Sequence, residues 1–206
     1  MIAIVDYEMG NLRSVQKAFE AVGHQAVLTS DQAVIEEASH VVLPGVGAFG
    51  DCMANLQRLG LVECLRRVIA QGKPFLGICL GLQVLFTQGE EFGVHRGLEV
   101  FKGTVKKFSF SQSKGNHRKI PHMGWNTINP EQSSPVLQGV HSDAYVYFVH
   151  SYFVEPEDSS VICTLTDYGI PFVSSVAKNN IFACQFHPEK SQQVGLNILK
   201  NFGAWH

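Results

Sequence analysis

The pattern of apolar and polar positions along the first half of the chain predicts strands that alternate with helices. Short apolar runs predict three strands, at residues 2–6, 26–29 and 41–43. Between them, apolar residues recur at helical spacing after Asn11 and again after Asp31, two side chains that are typical helix caps. A longer helical pattern covers about residues 51–71 and ends at Gly72. Strands and helices that alternate in this way favour a parallel sheet with helices on its faces.

The pattern changes after about residue 99, where strands and hairpin arms follow one another. These are predicted at residues 100–110, 145–154, 161–166, 172–177 and 181–186. A closing helix is predicted over residues 192–202 with Ser191 as its cap, and the polar stretch from Ser111 to Arg118 is predicted to be a mobile loop. No repeat or linker divides the chain. We therefore expect one domain over residues 1–206, an α/β fold with an open mixed, mainly parallel sheet flanked by helices.

The fourth strand of the first half, Phe75–Ile78, leads into a cysteine that lies between two glycines. Gly77-x-Cys79-x-Gly81 is the pattern of a nucleophile elbow, in which a strand turns sharply into a helix and the glycines let the two approach closely. Cys79 would then lie at a helix N-terminus, where unpaired N–H groups and the helix dipole favour thiolate over thiol. The elbow predicts an enzyme with a nucleophilic cysteine.

A cysteine nucleophile needs an imidazole partner, and that imidazole usually needs an acceptor that orients it. The segment Gln185-Phe186-His187-Pro188-Glu189 follows a predicted strand, and open α/β sheets place their sites at strand ends. Residues i and i+2 of extended chain project to the same side, so Glu189 can hold the ring of His187. We predict a catalytic triad of Cys79, His187 and Glu189; the alternative for this segment is an ordinary turn after a strand.

Acyl transfer also needs N–H donors for the oxyanion. The backbone N–H of Leu80 is one candidate, and the glycine-rich loop Pro44–Gly47 would supply a second. Residues 45–50 also read G-x-G-x-x-G, the pattern of a dinucleotide-binding loop. That pattern expects an acidic residue near the end of the next strand, whereas Phe75–Ile78 carries none. The sequence therefore favours an oxyanion loop over a nucleotide site.

Composition and charge narrow the class of protein further. With 45% hydrophobic residues, 17% charged residues and a net charge of −2, the chain is typical of a packed soluble enzyme and gives no sign of nucleic-acid or membrane binding. Its five cysteines are odd in number and lack a C-x-x-C pair, which indicates a reducing, cytoplasmic setting. Histidine spacing gives no metal motif, and we expect no metal or cofactor. The cysteines outside the elbow are predicted to be buried or semi-buried free thiols: Cys52, Cys64, Cys163 and Cys184.

Gly77–Gln83 together with Gln185–Lys190 resembles the paired motifs of the class I (triad) glutamine amidotransferases. Three further segments are similar to one branch of that superfamily, the glutaminase subunits of imidazole glycerol phosphate synthases in histidine biosynthesis. These segments are Leu43–Phe49, Pro121–Asn126 and Tyr147–Tyr152. With them, the resemblance extends over essentially the whole chain.

The resemblance implies that Cys79 attacks the carboxamide of L-glutamine, releases ammonia and leaves a glutamyl thioester that water resolves. It implies an oxyanion hole at the backbone of Val46 and Leu80, formed after a peptide flip in the Gly45–Val46 segment. It also implies a set of residues that hold the glutamine. These are Gly47, Gln83, Ser151 and Tyr152.

The resemblance further implies a heterodimer with a (β/α)₈-barrel cyclase subunit, which uses the ammonia to make imidazole glycerol phosphate and aminoimidazole carboxamide ribotide. The implied interface residues are His122, Met123, Trp125 and Asn126. Taken alone, their segment predicts only a turn with one large aromatic, and Trp125 fits a core position better than an interface. Two alternatives stay open, a triad amidotransferase subunit of another pathway (anthranilate, aminodeoxychorismate or pyridoxal phosphate synthesis) and a non-catalytic relative that keeps the fold.

Overall fold

The first half of the chain forms parallel strands joined by helices, in a computed structural model that describes residues 1–110 and 118–206. The elements are β1 (Ile2–Val5), α1 (Leu12–Ala21), β2 (Ala26–Thr29), α2 (Gln32–Glu37), β3 (His40–Gly45), α3 (Phe49–Arg58), α4 (Leu61–Ala70), β4 (Phe75–Cys79) and α5 (Leu80–Gln83). The four strands pair in the order β2-β1-β3-β4, and every pairing is parallel. The alternating pattern in the sequence predicts this part of the sheet correctly.

The second half extends the sheet, mostly with antiparallel strands. Its elements are β5 (Phe86–Gly89), β6 (His95–Arg96), β7 (Phe101–Lys107), β8 (His122–Pro130), β9 (Ala144–His150), β10 (Tyr152–Pro156), β11 (Ile162–Asp167), β12 (Pro171–Lys178), β13 (Ile181–Cys184) and α6 (Gln192–Ala204). The late strand β13 returns to the middle of the sheet and pairs parallel with β4. The prediction of an open mixed sheet flanked by helices is confirmed: five neighbouring strands, from β2 at one edge to β13 in the middle, are parallel to one another.

Strand register brings three distant segments to one edge of the sheet. β3 pairs with β4 so that Gly45 lies opposite Cys79, and β13 pairs with β4 so that Cys184 lies opposite Ile78. Because all three strands are parallel, their C-terminal ends lie side by side. The loop after β3, the elbow after β4 and the His187 segment after β13 are therefore neighbours.

The two elbow glycines are required by close backbone contacts. A Cβ at position 81 would lie 1.8 Å from the carbonyl oxygen of Leu43, and one at position 77 would lie 2.7 Å from the carbonyl oxygen of Gly81. Cys79 itself has φ 55° and ψ −105°, a conformation that costs energy for a residue with a Cβ. The strain shows that the packed strand and turn hold the cysteine in a fixed direction.

The central strands are buried on both faces, which follows from their uninterrupted apolar sequence. Along β1, Ala3 and Val5 belong to the cluster beneath α3 and α4, whereas Ile2 and Ile4 belong to the cluster beneath α1 and α6. This division is the two-residue period of a strand. The core thus lies in two layers, one on each side of the sheet.

Two predicted elements are divided in the structure. The helix predicted over residues 51–71 is two helices, α3 and α4, because Gly60 takes a left-handed conformation (φ 68°) that ends the first and starts the second. The arm predicted at residues 145–154 is also two strands, β9 and β10, which part at Ser151. β9 pairs with β8 and β10 with β7, so the chain changes partner at that residue.

The predicted helix caps and loop have mixed outcomes. Asp31 caps α2 through a hydrogen bond from the N–H of Ala33. Asn11 and Ser191 occupy cap positions but make no side-chain cap bond. The hydroxyl of Ser191 donates instead to the carbonyl of His187, at 2.6 Å. The loop predicted from Ser111 falls, up to residue 117, outside the described residues and stays a prediction, as does the single domain.

Candidate active site

His187 and Glu189 form a buried pair behind the elbow. Nδ1 of His187 lies 2.8 Å from Oε1 of Glu189, and both side chains are almost fully buried. A turn of 3-10 helix over Pro188–Lys190 places the carboxylate beside the ring. Within the described residues, neither Nε2 of His187 nor Oε2 of Glu189 makes a further hydrogen bond. Glu189 therefore fixes Nδ1 of the ring, and Nε2 is available for proton transfer.

The electrostatics of the imidazole link it to Cys79. Burial lowers the pKa of His187, but the sulfur of Cys79 and then the carboxylate of Glu189 act in the opposite direction and raise it to about 10. A shift in this direction requires negative charge near the ring. The parallel pairing of β13 with β4 and this electrostatic coupling both place His187 and Glu189 beside Cys79, which is only 7% exposed.

The helix that follows Cys79 is shorter than the elbow pattern predicts. α5 is one turn, Leu80–Gln83, and the chain leaves it for β5 three residues later. A macrodipole needs several aligned peptide units, so the contribution of one turn is small. The polar neighbours of the sulfur are therefore side chains, the ring of His187 and the amide of Gln185, rather than a long helix.

The coupling between the ring and the sulfur gives a testable expectation for titration. In the wild-type chain, we expect the His187 ring to stay protonated up to about pH 10, because its pKa is raised to about 10. In Cys79→Ser, the group that raises this pKa most is gone, so burial lowers the pKa and the ring loses its proton at a lower pH. NMR titration of the His187 ring in both proteins measures this. Equal midpoints in the two proteins would contradict the coupling.

A cavity of about 330 Å³ opens in front of Cys79. Its volume is at the lower end of the range for small-molecule sites. Its lining includes, besides Cys79, every residue predicted for the oxyanion hole and for glutamine binding: Val46, Leu80, Gly47, Gln83, Ser151 and Tyr152. Residues predicted from segments far apart in the chain thus line a single cavity.

The loop after β3 lies against the elbow. A Cβ at Gly45 would lie 2.2 Å from the Tyr7 hydroxyl and 2.9 Å from the Leu80 Cβ, so only glycine fits there. The same hydroxyl donates to the carbonyl of Pro44 at 2.8 Å. Gly47 has φ 99°, and Val46 is 41% exposed at the mouth of the cavity. Gly45 thus allows close approach to the elbow, and Gly47 allows the left-handed backbone, in agreement with the oxyanion interpretation of the motif.

Glu91 is a cavity residue that the sequence does not reveal. It follows β5, and its Oε2 accepts a hydrogen bond from the N–H of Phe49 at 2.8 Å. After burial, the Glu91 charge is the next cause that raises the pKa of Tyr152, which places the carboxylate and the phenol near one another. Of the cavity-lining side chains in the described part of the chain, only that of Glu91 is normally charged at neutral pH. It places a carboxylate on the cavity wall.

The strand pair β8–β9 presents an exposed apolar face beside the cavity. Met123 is 62% exposed, Trp125 45% and Tyr145 60%. Met123 lies opposite Val149, which lines the cavity, and Trp125 lies opposite Tyr147. We call this surface the β8–β9 face and define it by Met123, Trp125, Tyr145, Tyr147 and Val149. Its aromatic character is typical of protein interfaces.

The four predicted interface residues divide between the two sides of β8. Trp125 and Met123 are exposed, so the interpretation of Trp125 as a core residue is wrong. His122 is buried and stacks on Tyr168, with 3.9 Å between the ring centroids. Asn126 is half-buried. The strand alternation puts His122 and Asn126 beneath the surface that Met123 and Trp125 form.

The remaining predicted features have plain outcomes. The four cysteines outside the elbow, Cys52, Cys64, Cys163 and Cys184, are free and buried, as predicted. Over residues 1–110 and 118–206, no group of three or more His, Cys, Asp or Glu side chains is placed to hold a metal ion. In the same part of the chain, no helix has the length and apolar character that crossing a membrane requires.

Comparison with known families agrees with this geometry. A family model described as glutamine amidotransferase class-I matches residues 3–204. The chain is 57% identical over 204 residues to the imidazole glycerol phosphate synthase subunit HisH of Syntrophotalea carbinolica, covering 98% of this chain and 99% of the relative. It is 54% identical over 200 residues to the protein of the same name from Aquifex aeolicus, covering 97% and 94%.

Solved structures share the fold at low sequence identity. A crystal structure titled glutamine amidotransferase superposes with a TM-score of 0.76 at 16% identity, covering 98% of this chain and all of the other. The structure of PurLQS from Thermotoga maritima gives a TM-score of 0.73 at 16% identity, covering 98% and 96%. These likenesses concern the fold alone.

Proposed function

This chain belongs to the class-I glutamine amidotransferase family, in the branch of the imidazole glycerol phosphate synthase subunits HisH, and we propose that it hydrolyses L-glutamine at Cys79 and passes the ammonia to a partner cyclase. The observation that carries the proposal is the meeting of three features. A strained cysteine faces a small cavity, a buried His187–Glu189 pair lies behind it, and one carboxylate lies on the cavity wall.

The cavity residues suit a free amino acid with a carboxamide side chain. The carboxylate of Glu91 pairs with the α-ammonium group, which selects an amino acid over an uncharged amide. Gly47, Gln83, Ser151 and Tyr152 hold the rest of the molecule by polar contacts. This places the carboxamide carbon next to the sulfur of Cys79, which is the near-attack position that the reaction needs.

The first half-reaction uses the thiolate and the imidazolium together. The sulfur of Cys79 attacks the carboxamide carbon, and the carbonyl oxygen becomes an oxyanion that accepts hydrogen bonds from the backbone N–H groups of Val46 and Leu80. His187, protonated at neutral pH because its pKa is raised to about 10, gives its proton to the leaving nitrogen. The C–N bond breaks, ammonia leaves, and a glutamyl thioester remains on Cys79.

The second half-reaction reverses the role of the ring. His187, now neutral, takes a proton from a water molecule as the water attacks the thioester carbonyl. The C–S bond breaks, glutamate leaves, and the thiolate and imidazolium are restored. Glu189 holds the ring in one orientation through both halves. The net reaction is glutamine and water to glutamate and ammonia.

The oxyanion loop is the proposed point of control. The Tyr7 hydroxyl holds the carbonyl of Pro44, and the next peptide, Gly45–Val46, lies against Leu80 without room for a side chain. We infer that this peptide flips to turn the Val46 N–H into the cavity. Glycine at position 45 allows the new backbone angles at low cost.

The partner is proposed to dock on the β8–β9 face. This face is exposed, apolar and adjacent to the cavity through Val149. The relatives bear the name of a subunit of imidazole glycerol phosphate synthase, and a (β/α)₈-barrel cyclase seated here would receive ammonia close to where it forms. The buried free cysteines suit a cytoplasmic heterodimer.

An ammonia-release assay tests this function. We expect slow glutamine hydrolysis by the chain alone. When the cyclase subunit from the same organism and its nucleotide ligand are added, we expect stimulation by about 10²- to 10³-fold, the effect of one oxyanion-hole donor. The control is a chorismate-using synthase subunit, which should give no stimulation. Stimulation by the control and not by the cyclase would assign the chain to another pathway.

A substitution on the β8–β9 face tests the docking surface. Trp125→Ala should weaken cyclase binding by about ten- to a hundredfold, since exposed tryptophans at interface centres carry much of the binding energy. Titration calorimetry measures this. The matched control is Trp205→Ala, because the other tryptophan packs against Phe202 rather than on this face. Equal affinities of the two variants for the cyclase would place the interface elsewhere.

A further inference from the structure

A series of side-chain hydrogen bonds ends on the sulfur of Cys79. Nε2 of Gln185 donates to that sulfur at 3.5 Å, and Oε1 of Gln185 accepts from Nε2 of Gln83 at 3.1 Å. The second hydrogen of the Gln83 amide goes to the backbone carbonyl of Tyr152, also at 3.1 Å. Gln83 lines the cavity, whereas Gln185 is fully buried behind it.

The same carbonyl is the start of a second series that leads to β8. Nδ1 of His150 donates to the Tyr152 carbonyl at 2.8 Å, and Nε2 of His150 lies 2.9 Å from Nδ1 of His122. Nε2 of His122 lies 3.3 Å from the amide nitrogen of Asn126. Asn126 is the neighbour of Trp125 in β8, so the two series together join the β8–β9 face to the nucleophile. We call the set of Asn126, His122, His150, the Tyr152 carbonyl, Gln83 and Gln185 the relay.

In each hydrogen bond of the relay, only one assignment of donor and acceptor is possible. The Tyr152 carbonyl can only accept, so Nδ1 of His150 carries the hydrogen and its Nε2 must accept from His122. The remaining nitrogen of His122 then accepts from the amide of Asn126. Both rings must be neutral for this order, and burial, the first cause for each, lowers the pKa of His122 to about 4 and that of His150 to about 3.

The links are also costly to break. His122, His150, Gln83 and Gln185 are buried side chains, and a buried polar group that loses its partner forfeits the full free energy of its hydration. A ring or amide in this series therefore turns only if it gives up its hydrogen bonds to its neighbours, and the Tyr152 carbonyl, which accepts from both His150 and Gln83, joins the two series. This property couples groups that do not touch one another.

We propose that the relay positions the sulfur of Cys79, with Gln185 as the positioning residue, and ties that position to the strand that carries the β8–β9 face. The proposal rests on the proposed function in one respect, the role of Cys79 as nucleophile. Gln185 gives the sulfur an N–H donor on the side away from the cavity, and Gln83 holds Gln185 in the orientation that points its amide nitrogen at the sulfur. A change in β8 reaches Cys79 through His122 and His150.

A double-mutant cycle on the full chain tests the relay. Gln185→Met removes the donor at one end, and His122→Phe keeps a stacked ring but removes both nitrogens at the other. The readout is the alkylation rate of Cys79 by iodoacetamide, a small neutral reagent that needs no glutamine site, followed by mass spectrometry of the Cys79 peptide. Each single variant should lower the rate about five- to tenfold, the effect of one hydrogen bond.

The double variant distinguishes coupling from two separate defects. Because both substitutions break one series, we expect its rate to equal that of the slower single variant rather than the product of the two effects. Multiplying effects, or a wild-type rate in His122→Phe, would overturn the coupling; a wild-type rate in Gln185→Met would overturn the positioning role. The control is Tyr168→Phe, which keeps the stack on His122 and should react like wild type.

Two further measurements distinguish failure of the relay from misfolding and from failure of the proposed function. Thermal unfolding followed by circular dichroism identifies variants that do not fold. If His122→Phe does not fold, His122→Leu replaces it, because leucine also has no group that can donate or accept a hydrogen bond. In the ammonia assay, Gln185→Met should lower kcat with little change in KM, because Gln185 is not a cavity residue. Absence of glutamine hydrolysis in wild type would refute the proposed function and leave the alkylation result for the relay intact.

Discussion

Cys79→Ser is expected to lower kcat for glutamine hydrolysis by about 10³-fold or more, the scale on which triad enzymes lose activity when the nucleophile is changed. The hydroxyl of serine is not ionised at neutral pH, and without the sulfur the His187 ring loses the group that raises its pKa most. The site then lacks both its nucleophile and the charge that keeps its acid protonated. Ammonia release in the presence of the cyclase measures the loss.

The matched control for this variant is Cys64→Ser. Cys64 is also a buried free thiol, but it lies in α4, and its sulfur contacts the carbonyl of Gln32 rather than the cavity. We expect it to keep at least half of the wild-type kcat in the cyclase complex. If Cys79→Ser kept a tenth of the wild-type activity or more, Cys79 would not be the nucleophile.

Glu189→Gln should lower kcat by about 10²- to 10⁴-fold, the range that follows from changing the orienting carboxylate of a triad to an amide. The carboxylate accepts from Nδ1 of His187 and contributes to the raised pKa of that ring. An amide keeps the shape but removes the charge, so the pKa of His187 falls and less of the ring is protonated at neutral pH. The reaction then lacks the acid that protonates the leaving ammonia.

The pH dependence distinguishes this effect from a folding defect. Glu189→Gln should show its smallest loss at low pH, where the ring is still protonated, and a growing loss as pH rises. The control is Glu157→Gln, which changes an exposed glutamate in the same way. A uniform loss at every pH, or activity within about threefold of wild type, would contradict the role given to Glu189.

The proximity of the three candidate triad residues could be predicted from the sequence because each part has a local pattern. The elbow needs glycines at fixed positions beside Cys79, and the Leu43 carbonyl shows why, since a Cβ at Gly81 would lie 1.8 Å from it. His187 and Glu189 are two residues apart, so one turn can pair them. The parallel pairing of β13 with β4 brings the two patterns together. This was predictable because both patterns follow strands, and open α/β sheets place their sites at strand ends.

Glu91 and the relay could not be predicted in this way. The position of Glu91 depends on how the chain after β5 meets the N-terminus of α3, where it accepts from Phe49. The relay joins side chains that are far apart in sequence, such as Gln83 and Gln185. Hydrogen bonds of this kind follow from packing, and nothing in the neighbouring residues indicates them.

The strand β8 was missed for a different reason. A strand with one buried face normally alternates apolar and polar residues. In β8 the buried face carries His122, and the exposed face carries Met123 and Trp125. The exposed face of β8 is thus apolar and its buried face polar, the reverse of the usual pattern. An apolar exposed face is typical of a strand that forms part of an interface. Gly60, which divides the long helix, is a simpler case of a left-handed residue within an apolar repeat.

Acid-quenched mass spectrometry of the Cys79 peptide tests the central claim most directly. The chain and its cyclase are mixed with L-glutamine, quenched within the first turnovers and digested. We predict a glutamyl adduct on Cys79, no adduct on the other four cysteines of the same chain, and none in Cys79→Ser. Release of ammonia with no adduct on Cys79, or with an adduct on another cysteine, would contradict the account.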